Sequence, residues 1–252
     1  MAVISAMQVF RIGAAAMAAH ERAMDVVSNN IANVNTTSFG RSRVEFKEVL
    51  QAETGSNTAG VAIAGVRHLW RQGVVRSTGR ALDLAIQGDG FFPVTLPDGQ
   101  VGYTRDGTFQ LGANGTITTA DGYTLASNLT IPATAQDYYF TSDGTLRARE
   151  SDSADWVEVG RLQLATFANP EGLEHIGKGV YLASEASGAA RFSAPGEDIS
   201  GQLVAGALED ASVDLSEEMV ELITAQRLYS LGLKIVQTAD EMQSLANQLL
   251  GR

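Results

Sequence analysis

The sequence predicts an α+β protein with a long helix at each end of the chain and a mostly β middle. Apolar residues recur every three or four positions near both termini, which is the spacing of an amphipathic helix. Asp-Gly and Asn-Gly pairs occur throughout the middle, and 26 Gly against 5 Pro indicate a region rich in tight turns. We expect the two helices to form an antiparallel coiled coil, with an extended β-rich connector leading into the β domain. The predicted segments are a first helix over 1–35, a connector over 36–83, a β domain over 84–206 and a second helix over 207–252.

The first helix is predicted from an apolar stripe near the N-terminus. Its main side chains are Met7, Phe10, Met17, Met24 and Ile31. The helix should end within residues 28–37, where four Asn fall within seven residues. Asparagine competes for backbone hydrogen bonds and tolerates the left-handed conformation at a helix C-terminus.

The second helix is predicted from a similar stripe, which shifts in phase before its last apolar residues. Its main side chains are Met219, Leu222, Tyr229, Leu233, Val236 and Met242. Acidic Asp214, Glu217 and Glu218 fall at its first turns, where the helix dipole favours negative charge, and Gly251 should close it. Two helices bury less apolar area than a bundle does, so we expect other copies of the chain to cover the rest.

The middle of the chain reads as short strands joined by glycine turns. The connector has patches of alternating apolar residues broken by glycines, which predicts an extended segment with a few short strands. In the β domain we expect hairpin turns, because Asp-Gly and Asn-Gly tolerate the positive φ that tight turns demand. The pairs are Asp98-Gly99, Asp106-Gly107, Asn114-Gly115, Asp121-Gly122 and Asp143-Gly144.

Composition excludes several classes of protein. The net charge of −11 opposes binding to a nucleic-acid backbone, and the absence of cysteine excludes disulfides and thiolate metal sites. A chain of 252 residues can bury a core without a cofactor or metal. Charged residues within the first 24 positions interrupt any apolar run of signal-peptide length, so a cleaved signal peptide is not expected and any export must use another signal.

The sequence contains no complete catalytic or metal-binding motif. His20, His68 and His175 are far apart in the sequence and none has a partner at metal-binding spacing. Residues 172–179 have the glycine and lysine spacing of a phosphate-binding loop but end in Gly179, where Ser or Thr is needed, so a loop between strands is expected. An acid–base pair of Asp89 and Asp106 acting on a glycan is the enzyme hypothesis, although turn chemistry explains both residues more simply. We predict that the chain is not an enzyme.

Several stretches resemble the bacterial flagellar basal-body rod protein family, and within it the distal rod members. Residues 28–36 resemble its N-terminal signature, residues 78–92 and 103–109 its β-domain motifs, and residues 212–242 its C-terminal signature. The signature positions are Ser28, Asn29, Asn30, Ala32, Asn33, Asn35, Thr36, Gln226 and Arg227. The chain departs from the family pattern at Ser38, at Leu228 and over 230–232, and residues 131–150 are divergent.

The resemblance implies a structural subunit of the periplasmic rod in the flagellar basal body, which polymerises into the tubular shaft that carries torque from motor to hook. The implied partners are further copies of the chain, other rod and hook subunits, the surrounding basal-body rings and the flagellar type III export apparatus. The apolar residues of both helices would pack the inner tube, and the Asn cluster would fix the helix exit and contact neighbouring subunits. Two alternatives remain: another axial protein, such as a proximal rod or hook component, and a secreted glycan-active enzyme.

Overall fold

The computed structural model describes residues 2–53, 56–127, 129–150 and 155–250, with side chains over the same ranges except 2–8, 49–53, 56–60, 246 and 250. These residues form two compact units. The helical unit comprises residues 1–33, 41–69 and 213–252, and the β unit comprises 34–40 and 70–212. The sequence analysis divided the chain into four consecutive segments, and that division stays a prediction. The two compact units are instead each assembled from stretches that are separate in the sequence.

Two long helices dominate the helical unit, as the sequence predicts. Helix α1 spans Ala2–Ala32 and helix α2 spans Leu215–Leu250. Helix α1 ends inside the polar run, where the Asn33 side-chain amide donates to the carbonyl of Asn29 at 2.9 Å. Helix α2 begins later than position 207, because Asp214 caps it by accepting from the backbone N–H groups of Ser216 and Glu217 at 2.8 and 3.3 Å. Gly251 lies outside the described residues.

The two helices pack against each other in antiparallel directions. A Cβ added to Gly13 would lie 2.8 Å from Cγ2 of Val236, and one added to Gly232 would lie 2.8 Å from Cγ of Met17. Farther along α1, Asn30 contacts Glu218 near the start of α2, which fixes the opposed chain directions. The close approach to Met17 is the physical reason for a glycine at position 232.

A long hairpin completes the helical unit. Strand β1 spans Arg41–Glu53 and strand β2 spans Ser56–Leu69, paired antiparallel with Arg41 opposite Leu69 and an irregularity at Glu45/Phe46. Both strands pack against α1. The expectation of a few short strands here was wrong, because glycine was read as a strand break. Gly65 lies inside β2, where a glycine weakens a paired strand without ending it.

The β unit is built from short antiparallel strands. In the described residues, the first nine are β3 Val75–Ser77, β4 Leu84–Gln87, β5 Phe92–Thr95, β6 Val101–Thr104, β7 Phe109–Leu111, β8 Ile117–Thr119, β9 Thr124–Leu125, β10 Ala135–Phe140 and β11 Thr145–Glu150. The remaining seven are β12 Val157–Arg161, β13 Leu164–Thr166, β14 Glu174–Gly177, β15 Val180–Leu182, β16 Arg191–Ser193, β17 Gln202–Ala205 and β18 Ala207–Glu209. A 3₁₀ helix spans Pro170–Gly172.

These strands form one larger sheet and several small ones. The order in the seven-stranded sheet is β14-β15-β6-β5-β9-β8-β7, and β10-β11-β12 form a three-stranded sheet. Three two-stranded pairs, β13-β16, β17-β4 and β18-β3, complete the unit. Because β3 and β18 belong to this unit, its strands extend beyond the predicted 84–206 on both sides.

The core of the β unit is aromatic and aliphatic. Phe92 and Phe109 are fully buried, and their rings meet edge to face with centroids 5.2 Å apart. A second cluster brings Trp70 edge-on to Phe91 and Tyr181, each at 4.8 Å. Burying such rings contributes apolar transfer energy plus about 0.5–1.5 kcal/mol per favourable ring pair.

Four of the five predicted hairpin turns are confirmed. Gly99, Gly115, Gly122 and Gly144 have φ between 75° and 88° and join consecutive antiparallel strands. Gly107 was wrongly predicted as a hairpin glycine. A Cβ there would lie 1.6 Å from the carbonyl oxygen of Leu84, so a close backbone approach explains this glycine.

Candidate assembly surface

Helix α2 presents one apolar seam to the rest of the helical unit. Residues at alternating steps of four and three are buried or half-buried along it. They are Glu218, Leu222, Ala225, Tyr229, Gly232, Val236 and Ala239. The mean spacing of 3.5 residues is that of a heptad seam, and Gly232 and Val236 contact α1 directly. We call this set the buried seam.

A second set of apolar side chains on α2 stays at least half exposed among the described residues. Leu231, Ile235, Met242, Leu245 and Leu249 are each between 50% and 74% exposed. At 3.6 residues per turn these five side chains fall on one face of the helix, away from the buried seam. We call this set the open stripe. Contiguous exposed apolar surface of this kind marks an interaction site in a folded protein.

Of the α2 residues predicted as assembly positions, three belong to the buried seam, Met242 belongs to the open stripe, and Met219 and Leu233 belong to neither set. In α1, Phe10, Met17, Met24 and Ile31 are half-buried, and the side chain of Met7 lies outside those described. In α2, Leu222, Tyr229 and Val236 belong to the buried seam, whereas Met219, Leu233 and Met242 are 49%, 40% and 68% exposed. The phase shift in the sequence therefore marks a jump from one stripe to the other.

A buried polar network joins α1, β1 and α2. Asn30 is 1% exposed, and its side-chain amide donates to the Ser42 carbonyl at 2.8 Å and to Glu218 Oε2 at 2.9 Å. In return, the backbone N–H of Ser42 donates to Asn30 Oδ1 at 2.9 Å. These bonds use both ends of the Asn30 side chain, which is how a buried amide avoids a desolvation penalty.

Arg41 forms ion pairs with three carboxylates at the acidic start of α2. Its guanidinium nitrogens lie 2.5 Å from Glu218 Oε1, 3.0 Å from Glu217 Oε1 and 2.9 Å from Glu221 Oε1. Burial alone would lower the pKa of Arg41, but the hydrogen bond to Glu217 and the charges of all three carboxylates raise it above its ordinary value. Glu218 is 0% exposed, so Arg41 supplies the charge that makes its burial tolerable.

Sequence reasoning missed most of this network. Glu217 and Glu218 were expected to favour the start of α2 through the helix dipole, and no contact was predicted between them and Arg41, Ser42 or Asn30. Among the signature residues, Asn30 is buried, Asn33 is half-buried and the other positions are exposed. The exposed ones are Ser28, Asn29, Ala32, Asn35, Thr36, Gln226 and Arg227. Asn30 is thus the one asparagine of the cluster whose side chain is buried among the described residues.

In the β unit, Arg105 brings two of the family-like motifs together. Its guanidinium donates to the carbonyls of Gly88, Gly90 and Ile86 at 2.7, 2.8 and 3.3 Å. The same group pairs with the buried Glu209 at 2.8 Å. Arg105 therefore holds the glycine turn after β4 in place, which is a structural use of the motif.

The residues considered for chemistry have structural roles. The Asp106 carboxylate accepts from the backbone N–H and hydroxyl of Thr108 at 3.0 and 2.9 Å, and burial raises its pKa despite these bonds. Asp89 is exposed, and its carbonyl accepts from the N–H of Gly201 at 2.7 Å. Residues 172–179 contain the end of the 3₁₀ helix, strand β14 and its turn into β15, so the expected loop between strands is confined to that turn.

The three histidines lie in separate surroundings. The His20 ring is 6.1 Å from Phe46, His68 Nδ1 is 3.1 Å from the Ser42 hydroxyl, and the His175 ring is 4.9 Å from Tyr181. Within the described residues, no group of three or more His, Asp or Glu could hold a metal ion. Neither α1 nor α2, over their described residues, is both long and apolar enough to cross a membrane.

Three stretches of the chain match descriptions of flagellar axial proteins. Residues 10–39 match the family described as "Flagella basal body rod protein" and residues 204–249 match "Flagellar basal body rod FlgEFG protein C-terminal". Residues 85–148, within the β unit, match "Flagellar hook protein FlgE/F/G D1 domain". The fold and these matches together define a structural protein of the flagellar axis.

Relatives that match over most of their length show to which family of flagellar axial proteins the chain belongs. The chain is 39% identical to the flagellar basal-body rod protein FlgG of Caulobacter vibrioides, over 96% of this chain and 99% of the relative. It is 38% identical to FlgG of Bacillus subtilis, over 93% and 96%, and 28% identical to the rod protein FlgF of Salmonella typhimurium, over 95% and 96%. The chain belongs to the flagellar basal-body rod protein family. Proteins of this family are structural components of the flagellar basal body and are not known as enzymes.

Proposed function

We propose that this chain is a structural subunit of the distal rod of the bacterial flagellum. It polymerises through its helical unit into the tubular shaft that transmits torque from motor to hook. The open stripe carries the proposal, because five large apolar side chains on one helix face are left for another chain to cover. Fully burying each would contribute about 1.5–3 kcal/mol, so even partial burial at every contact supports a polymer.

The paired helices supercoil as an antiparallel coiled coil in the assembled rod. Support comes from the strict alternation of four-residue and three-residue steps along the buried seam, which keeps a helix face turned toward its partner. The half-buried residues Phe10, Met17, Met24 and Ile31 pack the inner tube from α1, together with Met7. The exposed Met219, Leu233 and Met242 contact neighbouring copies.

The partners follow from a place in the rod. They are other copies of the chain, other rod and hook subunits, the basal-body rings and the type III export apparatus. The exposed asparagines near the end of α1 contact neighbouring subunits. The higher identity to relatives named FlgG than to FlgF, 34–39% against 28%, favours the distal rod over another axial position. The Asp106 carboxylate accepts hydrogen bonds from Thr108 within its own turn, which disfavours a role for it as an acid or base in glycan cleavage.

Genetic complementation tests the proposal in the bacterium that encodes the chain. Deleting the gene should abolish swimming and leave basal bodies that lack the distal rod. The native gene and a Ser244→Asp variant, altered on the polar side of α2, should restore both. Leu245→Asp, which places the same charge on the open stripe, should not. Normal swimming and complete rods in the deletion strain would refute the proposed function.

A further inference from the structure

We propose that Asn30, Arg41 and Glu218 form a register lock that holds α1 and α2 at one sliding position. The three residues come from α1, β1 and the first turn of α2, and they meet in one buried polar cluster. The proposal rests on the proposed function in one respect, because a single register presents the open stripe to neighbouring copies in a single arrangement. The lock itself is a property of one chain and can be tested apart from assembly.

The buried seam does not define its own register well. Ala225, Gly232 and Ala239 are all small and stand seven residues apart. Leu222, Tyr229 and Val236 are all larger and also stand seven residues apart. If α2 moved by seven residues along α1, each small residue would replace a small one and each large residue a large one. Apolar heptads of this kind are known to need a polar position that specifies register.

Glu218 breaks this repeat. It occupies the position seven residues before Ala225, and it is the one charged residue of the buried seam as described above. In the observed register its carboxylate meets Asn30 at 2.9 Å and Arg41 at 2.5 Å. After a seven-residue shift Ala225 or a residue outside the helix would face these groups, and a buried guanidinium and carboxylate would lose their partners. Unpaired buried charge is strongly disfavoured, so the network selects one register.

The other bonds of Asn30 anchor this choice to the hairpin. Ser42 and Asn30 exchange two hydrogen bonds, and Ser42 directly follows Arg41 in β1. The guanidinium is therefore held at a fixed height along α1 and can reach α2 only at its acidic start. Glu217 and Glu221, on either side, are about half exposed and are stabilised by water when Arg41 is absent.

Replacing the ion pair of Arg41 and Glu218 with apolar residues tests the register of the helices without removing the stability of the helical unit. Exchanging a buried ion pair for apolar side chains of similar size is often neutral or stabilising, so Arg41→Met/Glu218→Leu should keep its helices. The chain has no cysteine, which allows nitroxide labels at two introduced cysteines only. Ala18→Cys and Ser244→Cys are suitable sites, since both residues are exposed and they lie far apart along the helix pair.

Double electron–electron resonance on dilute labelled protein provides the test. The parent protein should give one label-to-label distance. The Arg41→Met/Glu218→Leu protein should give a second population displaced by about 10 Å, the rise of seven helical residues. A control, Arg43→Met/Glu241→Leu, makes the same two replacements at exposed positions and should keep the single distance.

A single, unchanged distance in the Arg41→Met/Glu218→Leu protein with normal helical circular dichroism would overturn the register lock. If that protein loses its helices, Glu218→Gln carries the test, because the amide keeps the shape and removes the charge. A minor second distance supports the lock, and a distribution identical to the parent refutes it. Failure of the parent protein to polymerise would count against the proposed function and leave the distance result intact.

Discussion

Individual residues in the helical unit are chosen for close contact rather than for helix propensity. Gly13 and Gly232 both lie in helix interiors, where glycine costs about 1 kcal/mol relative to alanine. Each faces a side chain of the opposite helix that would collide with a Cβ. The close approach of the two backbones therefore offsets the unfavourable helix propensity of glycine. From the sequence alone, neither glycine has an explanation.

Gly13→Val should destabilise the helical unit. The added side chain would collide with Val236, which is stiff at χ1, so the helices must separate at their crossing. We expect a loss of about 1–3 kcal/mol in the free energy of unfolding, measured by urea denaturation followed by helical circular dichroism. Ala14→Val, one position along at an exposed site, controls for the propensity of valine and should cost less than about 0.7 kcal/mol. Equal losses in the two variants would contradict the close crossing.

At the scale of elements, the two faces of α2 have different tasks. The buried seam holds α1 within the chain, and the open stripe remains exposed. The sequence showed that α2 is amphipathic, but the apolar residues of its two faces were predicted as a single set. Leu222 and Met242 were grouped together, although Leu222 lies in the buried seam and Met242 in the open stripe. Helical spacing alone cannot separate two stripes when each obeys the same period.

Two aspartate substitutions should distinguish these faces in dilute protein. Leu222→Asp buries a charge against α1 and should lower the free energy of unfolding by roughly 2–4 kcal/mol. Leu245→Asp alters an exposed side chain and should change it by less than about 0.5 kcal/mol. Urea denaturation below the concentration of self-association measures both. A loss with Leu245→Asp as large as that with Leu222→Asp would place the open stripe inside the chain's own packing.

The elements differ in how far the sequence predicts them. The turns at Gly99, Gly115, Gly122 and Gly144 were predictable because a short-range rule, positive φ next to Asp or Asn, determines them. The long hairpin β1–β2 was not, since its glycines resemble breaks until the pairing partner is known. The asparagine run located the end of α1 to within its ten residues, and the structure places that end at Ala32.

At the scale of the whole molecule, the β unit has a hydrophobic core of its own, and the helical unit leaves the open stripe exposed. The network of Asn30, Arg41 and Glu218 lay beyond sequence reasoning because its members are up to 188 residues apart. No local pattern marks one glutamate among several as fully buried. The identity of the family was predictable from short motifs, whereas the geometry that presents the open stripe required the fold.

Self-assembly through the open stripe is the central claim, and sedimentation velocity with electron microscopy tests it most directly. The purified full-length chain should form tubular polymers as its concentration rises. Ser244→Asp should behave in the same way, and Leu245→Asp should remain monomeric with an unchanged circular dichroism spectrum. Polymers formed equally well by Leu245→Asp, or a native chain that stays monomeric at every concentration, would contradict the account.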